Sequence, residues 1–290
     1  MLFVYALGGV ALACAIWGIG IERYLFTVKY DSAKVLPRGA KPIRVLHVSD
    51  FHVAPWQRKK LAFIKKLSHL DIDLVIDTGD NLGHPEAIKP TLAALEGILK
   101  VPGAFVNGSN DYHAPGFRNP FAYLLKPSDP GHAKPLDNAA LVAGLSAGWL
   151  NLNNASGELV VKGSRIGFVG VDDPHDGLAD YNTVAEPKNV DITIGVAHAP
   201  YRETIEALGF SDIIFSGHTH GGQVCVPGFG ALVTNCDIPR DQVKGLSSWR
   251  HGSRSAALNV SAGLGTSIYA PVRFACAPEA SLVTLTARQS

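Results

Sequence analysis

The segment IRVLHVSDFH, residues 43–52, indicates the fold class, because an apolar run of strand length ends directly in polar side chains. Similar apolar runs occur along the rest of the chain, at 73–77, 103–107, 165–171, 192–197, 212–216, 256–262 and 281–287. Apolar runs of this length, without strict alternation, are typical of strands buried on both faces. The sequence therefore predicts sheets whose faces are covered by other layers.

Helical patterns lie between these runs, at 57–70, 85–100, 137–148 and 201–209. In the first of them, Leu61, Ile64 and Leu67 fall on one helical face with lysines opposite. Alternation of strands and helices predicts an α/β fold, and the later strand pairs predict a second sheet. Two stretches look irregular: 112–135, rich in proline, and 236–255, which carries Arg240, Lys244, Arg250 and Arg254.

The N-terminal residues 1–20 contain neither charge nor proline. A helix rises about 1.5 Å per residue, so this segment is long enough for a hydrocarbon layer of about 30 Å. A cleaved signal peptide would have a basic start, and nothing basic precedes Arg23; a buried core helix would have fewer glycines. We predict a membrane anchor and juxtamembrane segment over 1–29, a polar linker over 30–42 and a catalytic domain over 43–290.

The lysines and arginines that follow the apolar segment indicate the orientation of a single-pass protein of the cell membrane. Six of them lie between residues 23 and 44. By the positive-inside rule, they place the catalytic domain on the cytoplasmic side.

Composition narrows the classes of partner. The formal net charge of +1 supplies no global field for nucleic acid, so we expect no nucleic-acid partner. The cysteines Cys14, Cys225, Cys236 and Cys276 are widely spaced, which fits neither a zinc ribbon nor a disulfide framework. The sequence does not indicate an oligomeric state.

Six potential metal ligands follow apolar runs: Asp50, His52, Asp80, His198, His218 and His220. In extended backbone, residues i and i+2 point to the same side, so one cation can take both members of such a pair. A single strand-end histidine is more often structural than a ligand. However, carboxylates and imidazoles are costly to bury together unless they are paired or bound to metal. Sites in α/β sheets form at the carboxyl ends of strands, so the set predicts one metal site.

The order D-x-H, G-D, a single histidine and G-H-x-H resembles that of the calcineurin-like metallophosphoesterase superfamily, over nearly all of residues 43–287. The stretches SGHTHGGQV (216–224) and GLGTS (263–267) are similar to its membrane-associated branch, which includes YkuE-like phosphodiesterases and some UDP-2,3-diacylglucosamine pyrophosphatases. The resemblance implies a four-layer α/β/β/α sandwich of two mixed β-sheets flanked by helices, here with an N-terminal transmembrane helix.

The resemblance also implies a role for each ligand. Asp50, His52 and His220 would hold one divalent metal ion, His198 and His218 a second, and Asp80 would bridge them. Mixed imidazole and carboxylate ligands suit manganese, which we expect, or iron or zinc. Two such ions, about 3.5–4 Å apart, activate a bridging hydroxide for attack on a phosphodiester or pyrophosphate bond. The anchor suggests a lipid-linked substrate, or a phosphorylated small molecule such as a nucleotide sugar.

One motif departs from the family pattern. Where the family usually has G-N-H-D, this chain has Gly108-Ser109-Asn110-Asp111. Ser109 stands in place of the usual ligand, so we expect the carbonyl oxygen of Asn110 to bind the second metal. The usual imidazole acid is missing, so we predict a catalytic set of Asn110, Asp111 and His113, with His84 as another substitute acid. The alternative function is a catalytically weak scaffold or binding protein at the membrane.

The remaining polar residues have weaker signals. His175 could line the cleft or stabilise a turn, His47 is expected in the core, and His69 and His132 at the surface. Arg240 and Arg273 could pair with a substrate phosphate, since guanidinium matches phosphate, or could be solvated.

Overall fold

The computed structural model describes residues 1–116 and 134–288. Within these ranges the strands are β1 Thr27–Leu36, β2 Ile43–Val48, β3 Leu74–Asp77, β4 Gly103–Phe105, β5 Trp149–Asn151, β6 Ala155–Val161, β7 Ser164–Gly170, β8 Ile192–Val196, β9 Ile213–Ser216, β10 Cys225–Val226, β11 Gly230–Ala231, β12 Gly245–His251, β13 Arg254–Val260 and β14 Glu279–Ala287. The α-helices are α1 Leu2–Ala15, α2 Arg58–Lys66, α3 Ile88–Leu95, α4 Ser109–Tyr112, α5 Ala139–Ser146 and α6 Arg202–Ala207. All eight apolar runs are strands, and the four helical patterns contain α2, α3, α5 and α6.

Two mixed sheets form the centre of the molecule. The first has the order β1-β14-β2-β3-β4-β5 and the second the order β12-β13-β9-β8-β7-β6. The strands β2 to β5 run parallel to one another, as do β7, β8, β9 and β13. Ile43, Ile76, Phe168, Ile194 and Phe215 are buried in the core cluster to which both sheets contribute.

Helices cover the outer face of each sheet. Ile64 in α2 and Leu141 in α5 belong to one core cluster with Val75 of the first sheet. Ile205 in α6 belongs to another with Ile214 of the second sheet. The predicted four-layer α/β/β/α sandwich is therefore confirmed.

The expected linker over 30–42 is wrong for residues 30–36, which belong to β1. This strand pairs in parallel with β14 from Thr27 to Leu36, at the edge of the first sheet. Charged side chains are common on edge strands, and Lys29 and Lys34 made this strand resemble a polar linker in the sequence. Its buried core residues, Ala33, Val35 and Leu36, lie in its last part.

The predicted irregular stretches also differ from the structure. Within 236–255, residues 245–251 form β12, paired antiparallel with β13. The strands β5 and β6 were missed as well. Most of the 112–135 loop, and His132 with it, lies outside the described residues.

The N-terminal segment forms a helix from Phe3 to Tyr24, the one helix within the described residues that is long and apolar enough to cross a membrane. After α1 the helix widens to a π-helical turn, Ile16–Ile21. Strand β1 begins at Thr27, three residues after Tyr24, so the helix joins the first sheet almost directly.

We predict that Leu36→Ala destabilises the protein, because Leu36 is fully buried in the core that both sheets share. Removing a buried leucine side chain should lower the free energy of unfolding by about 2–5 kcal/mol. Denaturant unfolding in detergent would measure it, with Tyr30→Ala as a control on the same strand, since Tyr30 is 69% exposed. Equal small effects of both changes would show that β1 is not part of the folded core.

Candidate metal centre

The predicted ligands lie where parallel strands of both sheets end. Asp50 and His52 follow β2, and Asp80 follows β3; His198 follows β8, and His218 and His220 follow β9. The two loops of the first sheet are tied together, since the amides of Asp50 and His52 donate to the carbonyls of Gly79 and Asp80, respectively. The side chains of all six are buried or nearly so.

Five of the six converge on a common centre. Oδ2 of Asp80 lies 3.4 Å from Nε2 of His52 and 3.6 Å from Nε2 of His198. Oδ1 of Asp50 lies 3.6 Å from Nε2 of His220 and 4.0 Å from Nε2 of His52. The ligand atoms form two overlapping groups that can each hold a metal ion, Asp50–His52–His220 and Asp50–Asp80–His198.

Burial makes this cluster unfavourable without cations. It raises the pKa of Asp50 and Asp80 and lowers the pKa of His52 and His220. The Nε2 atoms of these two histidines lie only 3.1 Å apart. Two neutral imidazoles can share one proton there, but divalent metal ions would satisfy both nitrogens and both carboxylates.

His198 gives a second indication of a metal. Its Nδ1 lies 2.7 Å from the carbonyl oxygen of Thr78, and this bond directs Nε2 towards Asp80. Nε2 is buried and has no hydrogen-bond partner among the described residues. Burial disfavours the charged ring, yet the carboxylates of Asp80, Asp173 and Asp50 raise its pKa to about 9. A metal-ligating histidine commonly gives its other N–H to a carbonyl, as His198 can do here.

The backbone is strained at the ligands. Asp50, His52, Asp80, His218 and His220 all have positive φ, between 41° and 66°. Side-chain-bearing residues rarely adopt this conformation, and such strain is concentrated at functional sites. Gly79, at φ 87°, makes the turn before Asp80, and a Cβ on it would lie 2.4 Å from the amide nitrogen of Gly108. This turn, in the stretch D-T-G-D at 77–80, therefore requires glycine.

His218 lies beside the five residues rather than among them. Its ring centroid is 5.2 Å from that of His198. Its Nε2 lies 3.1 Å from the carbonyl oxygen of Asn235 and 3.0 Å from that residue's side-chain nitrogen. The His218 amide donates to the Asp50 carboxylate, so its backbone supports the centre directly.

The departing motif surrounds Asp80. The amide and side-chain nitrogens of Asn110 each donate to an oxygen of Asp80, both at 2.8 Å. A Cβ on Gly108 would lie 2.4 Å from Oδ1 of Asp80 and 2.7 Å from the His198 ring. Asn110 therefore contacts and orients Asp80, and metal binding by its carbonyl oxygen stays a prediction.

The other two predicted catalytic residues have different surroundings. Asp111 is fully buried, and its carboxylate accepts the amides of Asn81, Leu82 and Gly108. These bonds hold the loops after β3 and β4 together and give Asp111 a structural task. Nε2 of His113 lies 3.0 Å from Oδ2 of Asp176. His84 accepts the amide of Glu86 through Nδ1, at a helix start.

His47, His69 and His175 have the environments expected of them. His47 is buried and joins the two sheets, with Nδ1 2.7 Å from Oδ1 of Asn259 and Nε2 3.0 Å from Oγ1 of Thr78. His69 is exposed. His175 lies at the site: its ring centroid is 4.6 Å from that of His218, and its Nδ1 is 2.7 Å from the Tyr201 hydroxyl.

Arg273 is not available to a substrate phosphate. It is fully buried, and its guanidinium donates to the carbonyls of Ala262, Gly263 and Gly265. It also donates to the carbonyl of His220, at 3.2 Å, and its Nη2 lies 3.4 Å from Nδ1 of that ring. Arg273 therefore supports His220, a predicted ligand, through both its carbonyl oxygen and its ring.

Sequence reasoning missed several supporting residues. Ser49 donates to Asp50 at 2.5 Å, and the buried ammonium of Lys60 donates to the carbonyls of Phe51 and His52. Ser49 is adjacent to a predicted ligand, which is a usable signal. Lys60 looked like part of a solvated helix face, so the pattern pointed the other way.

Comparison with known proteins agrees with this geometry. The family model of calcineurin-like phosphoesterases matches residues 43–222, more than half of the chain. An uncharacterized metallophosphoesterase of Aquifex aeolicus (strain VF5) is 27% identical, over 91% of this chain and 94% of its own. The metallophosphoesterase YkuE of Bacillus subtilis (strain 168) is 24% identical, over 92% of this chain and 90% of its own.

A third relative, a transmembrane protein with metallophosphoesterase domain from Bos taurus, is 25% identical over 69% of this chain and 45% of its own. The resemblance to UDP-2,3-diacylglucosamine pyrophosphatases stays a prediction. Fold, buried cluster and family match agree, and the chain belongs to the calcineurin-like phosphoesterase family.

Proposed function

We propose that this protein is a membrane-anchored hydrolase that cleaves a phosphodiester or pyrophosphate bond with two divalent metal ions, manganese being preferred. The observation that supports this most is the pair of overlapping ligand groups that share Asp50. In the proposal, Asp50, His52 and His220 would hold one ion, His198, His218 and Asn110 would hold the other, and Asp80 would contribute to both. When bound, the ions supply an activated water and charge neutralisation at the phosphoryl oxygens.

The chain's own residues keep the ligands in place. Asn110 donates its backbone N–H and a side-chain N–H to the two oxygens of Asp80, which fixes the carboxylate plane. Thr78 accepts from His198, and Arg273 holds the backbone of His220. A preorganised set of this kind does not need to rearrange during the reaction.

Protonation of the leaving group requires a separate residue. Position 110 holds asparagine, which cannot act as an acid, and Asp111 is occupied by three backbone amides. Among the described residues, His113, paired with Asp176, is the donor that we propose. His175, next to His218, is an imidazole that could replace it.

The substrate and location follow from the anchor. The helix Phe3–Tyr24 has the length of a membrane span, and the Bos taurus relative is named a transmembrane protein. We propose a single-pass protein of the cell membrane, with its catalytic domain on the cytoplasmic side and a lipid-linked or nucleotide-sugar substrate.

We expect Asp80→Asn to lower hydrolysis of a chromogenic diester more than about a hundredfold, because loss of supporting contacts alone typically costs 10–100-fold. Elemental analysis of the purified full chain should show that the metal content falls below two ions per protein molecule. Asp71→Asn is the control, since that side chain is 78% exposed, and it should change neither quantity. Near-normal turnover of Asp80→Asn would refute the two-metal proposal, and bound metal without hydrolysis of any ester would favour the scaffold alternative.

The altered third motif predicts a steep dependence of rate on leaving-group pKa. General-acid assistance is typically worth about 10²–10⁴-fold, so alkyl diesters should react far more slowly than aryl diesters or pyrophosphates. The double change Ser109→Asn, Asn110→His restores the family pattern and should flatten this dependence.

Ser109→Asn alone is the matched control, because it restores position 109 without the imidazole. Metal content is measured beside the rates, since Asn110 contacts Asp80. If the unchanged protein already cleaves alkyl and aryl esters equally fast with chemistry rate-limiting, another acid is present, and His113→Gln tests it.

A further inference from the structure

The last turns of the N-terminal helix are bonded to the catalytic domain. The carbonyl of Gly18 accepts the amide of Arg273 at 3.1 Å, and a Cβ on Gly18 would lie 2.8 Å from the Arg273 carbonyl oxygen. The buried carboxylate of Glu22 accepts the amides of Ala275 and Cys276, at 3.0 and 2.6 Å, and the indole N–H of Trp17 at 2.6 Å. The loop 273–276 must therefore lie at the same depth in a membrane as this end of the helix.

The helix length sets that depth. At about 1.5 Å per residue, the 22 residues from Phe3 to Tyr24 span about 33 Å, slightly more than a hydrocarbon layer of about 30 Å. Gly18 lies six residues before the end of this span, so Gly18 and Glu22 fall within about 10 Å of its end. In a helix that spans the membrane, residues bonded to them would lie near the boundary between hydrocarbon and head groups.

A hairpin continues this surface away from the helix. The amide of Cys225 donates to the carbonyl of Phe274, and the amide of Phe274 donates to the carbonyl of Gln223. The hairpin formed by β10 and β11 therefore extends from the loop that the helix holds. Three of its apolar side chains are exposed: Val226 by 42%, Phe229 by 59% and Leu232 by 44%.

Cationic side chains lie beside these apolar ones. The guanidinium carbon of Arg240 is 4.4 Å from the ring centroid of Phe229. Arg240 and Lys244 line a cavity of about 320 Å³ between the hairpin and Ala275, in which Asp241 is the acidic lining residue. Apolar and aromatic groups next to basic ones are the composition of surfaces that lie on anionic bilayers.

We propose that the hairpin 224–232, with Arg240 and Lys244, rests in the head-group layer of an anionic bilayer beside the anchor. We call this surface the docking face; the inference depends on the proposed membrane attachment. Its apolar side chains enter the interface and its cations meet lipid phosphates. Because Arg273 touches both the helix end and His220, the metal centre would lie close to the membrane plane beside the docking face.

Photo-cross-linking in the full chain tests the docking face. A benzophenone amino acid replaces Phe229, Val10 or Val160, in lipid nanodiscs of phosphatidylcholine with or without phosphatidylglycerol. All three side chains are exposed, Val10 in the helix by 62% and Val160 in β6 by 68%. Illumination should produce lipid adducts at 229 and at 10 but not at 160.

The charge contribution has its own variant. In phosphatidylglycerol discs, Arg240→Gln with Lys244→Gln should lower adduct yield at 229 by about fivefold for each cation removed. In phosphatidylcholine alone the change should have little effect. Unaltered metal content and unfolding would show that the variants are folded.

The outcomes separate this inference from the proposed function. Adducts at 10 without adducts at 229 overturn the docking face and leave the anchor standing. No adducts at 10 refute membrane attachment and with it the docking face. Equal adduct yields at 229 and 160 would show that the domain contacts lipid without a preferred surface, which overturns the docking face. Equal adduct yields at 229 in the protein with and without Arg240 and Lys244 would refute recognition of anionic lipid.

Discussion

The burial of two carboxylates at the junction of the sheets is the constraint on which the rest of the site depends. Asp50 and Asp80 are almost fully enclosed, and burial raises the pKa of both. An unpaired buried carboxylate is costly, so the fold must bring positive charge to this point or lose stability. The imidazoles of the opposite sheet and a bound metal together stabilise these carboxylates. This explains why the ligands come from strand ends of both sheets.

The left-handed backbone at five ligands has the same origin. A strand that simply continued would carry its side chains past the edge of the sheet, whereas positive φ at Asp50 and Asp80 ends the extended path at the centre. Each such residue costs of the order of 1–3 kcal/mol, which tertiary contacts must offset. Glycines at 79, 108 and 263 supply the room, since a Cβ at each would strike a neighbouring loop or ligand. The sequence motif is thus a steric requirement as much as a chemical one.

Local patterns, namely apolar runs and the polar residues directly after them, predicted the α/β class, the second sheet and the convergence of ligands at strand ends, whereas the four-layer arrangement was implied by the family resemblance. Sequence reasoning missed β1 and β12, since edge strands have one partner and carry charged side chains that resemble those of linkers. It also misjudged Arg273 and Lys60, whose burial depends on carbonyl groups in other loops, that of His220 for Arg273 and that of Phe51 for Lys60. The environment of Asp111 was hidden for the same reason, because its partners Asn81 and Leu82 lie in another loop.

The correction at β1 changes how the anchor relates to catalysis. A flexible linker would let the domain sample many orientations above a membrane, so membrane attachment would only raise local concentration. Here the helix ends three residues before a strand of the first sheet, and Glu22 and Gly18 are bonded to the loop that carries Arg273. Rotation of the domain would break these bonds, so a membrane-spanning helix would hold the metal centre at one height and one tilt. A site with fixed height suits a substrate whose scissile bond also has a fixed depth, as the phosphates of a lipid head group do. If the proposed membrane attachment holds, a soluble nucleotide sugar would gain nothing from this arrangement, so the proposal favours the lipid-linked substrate of the two.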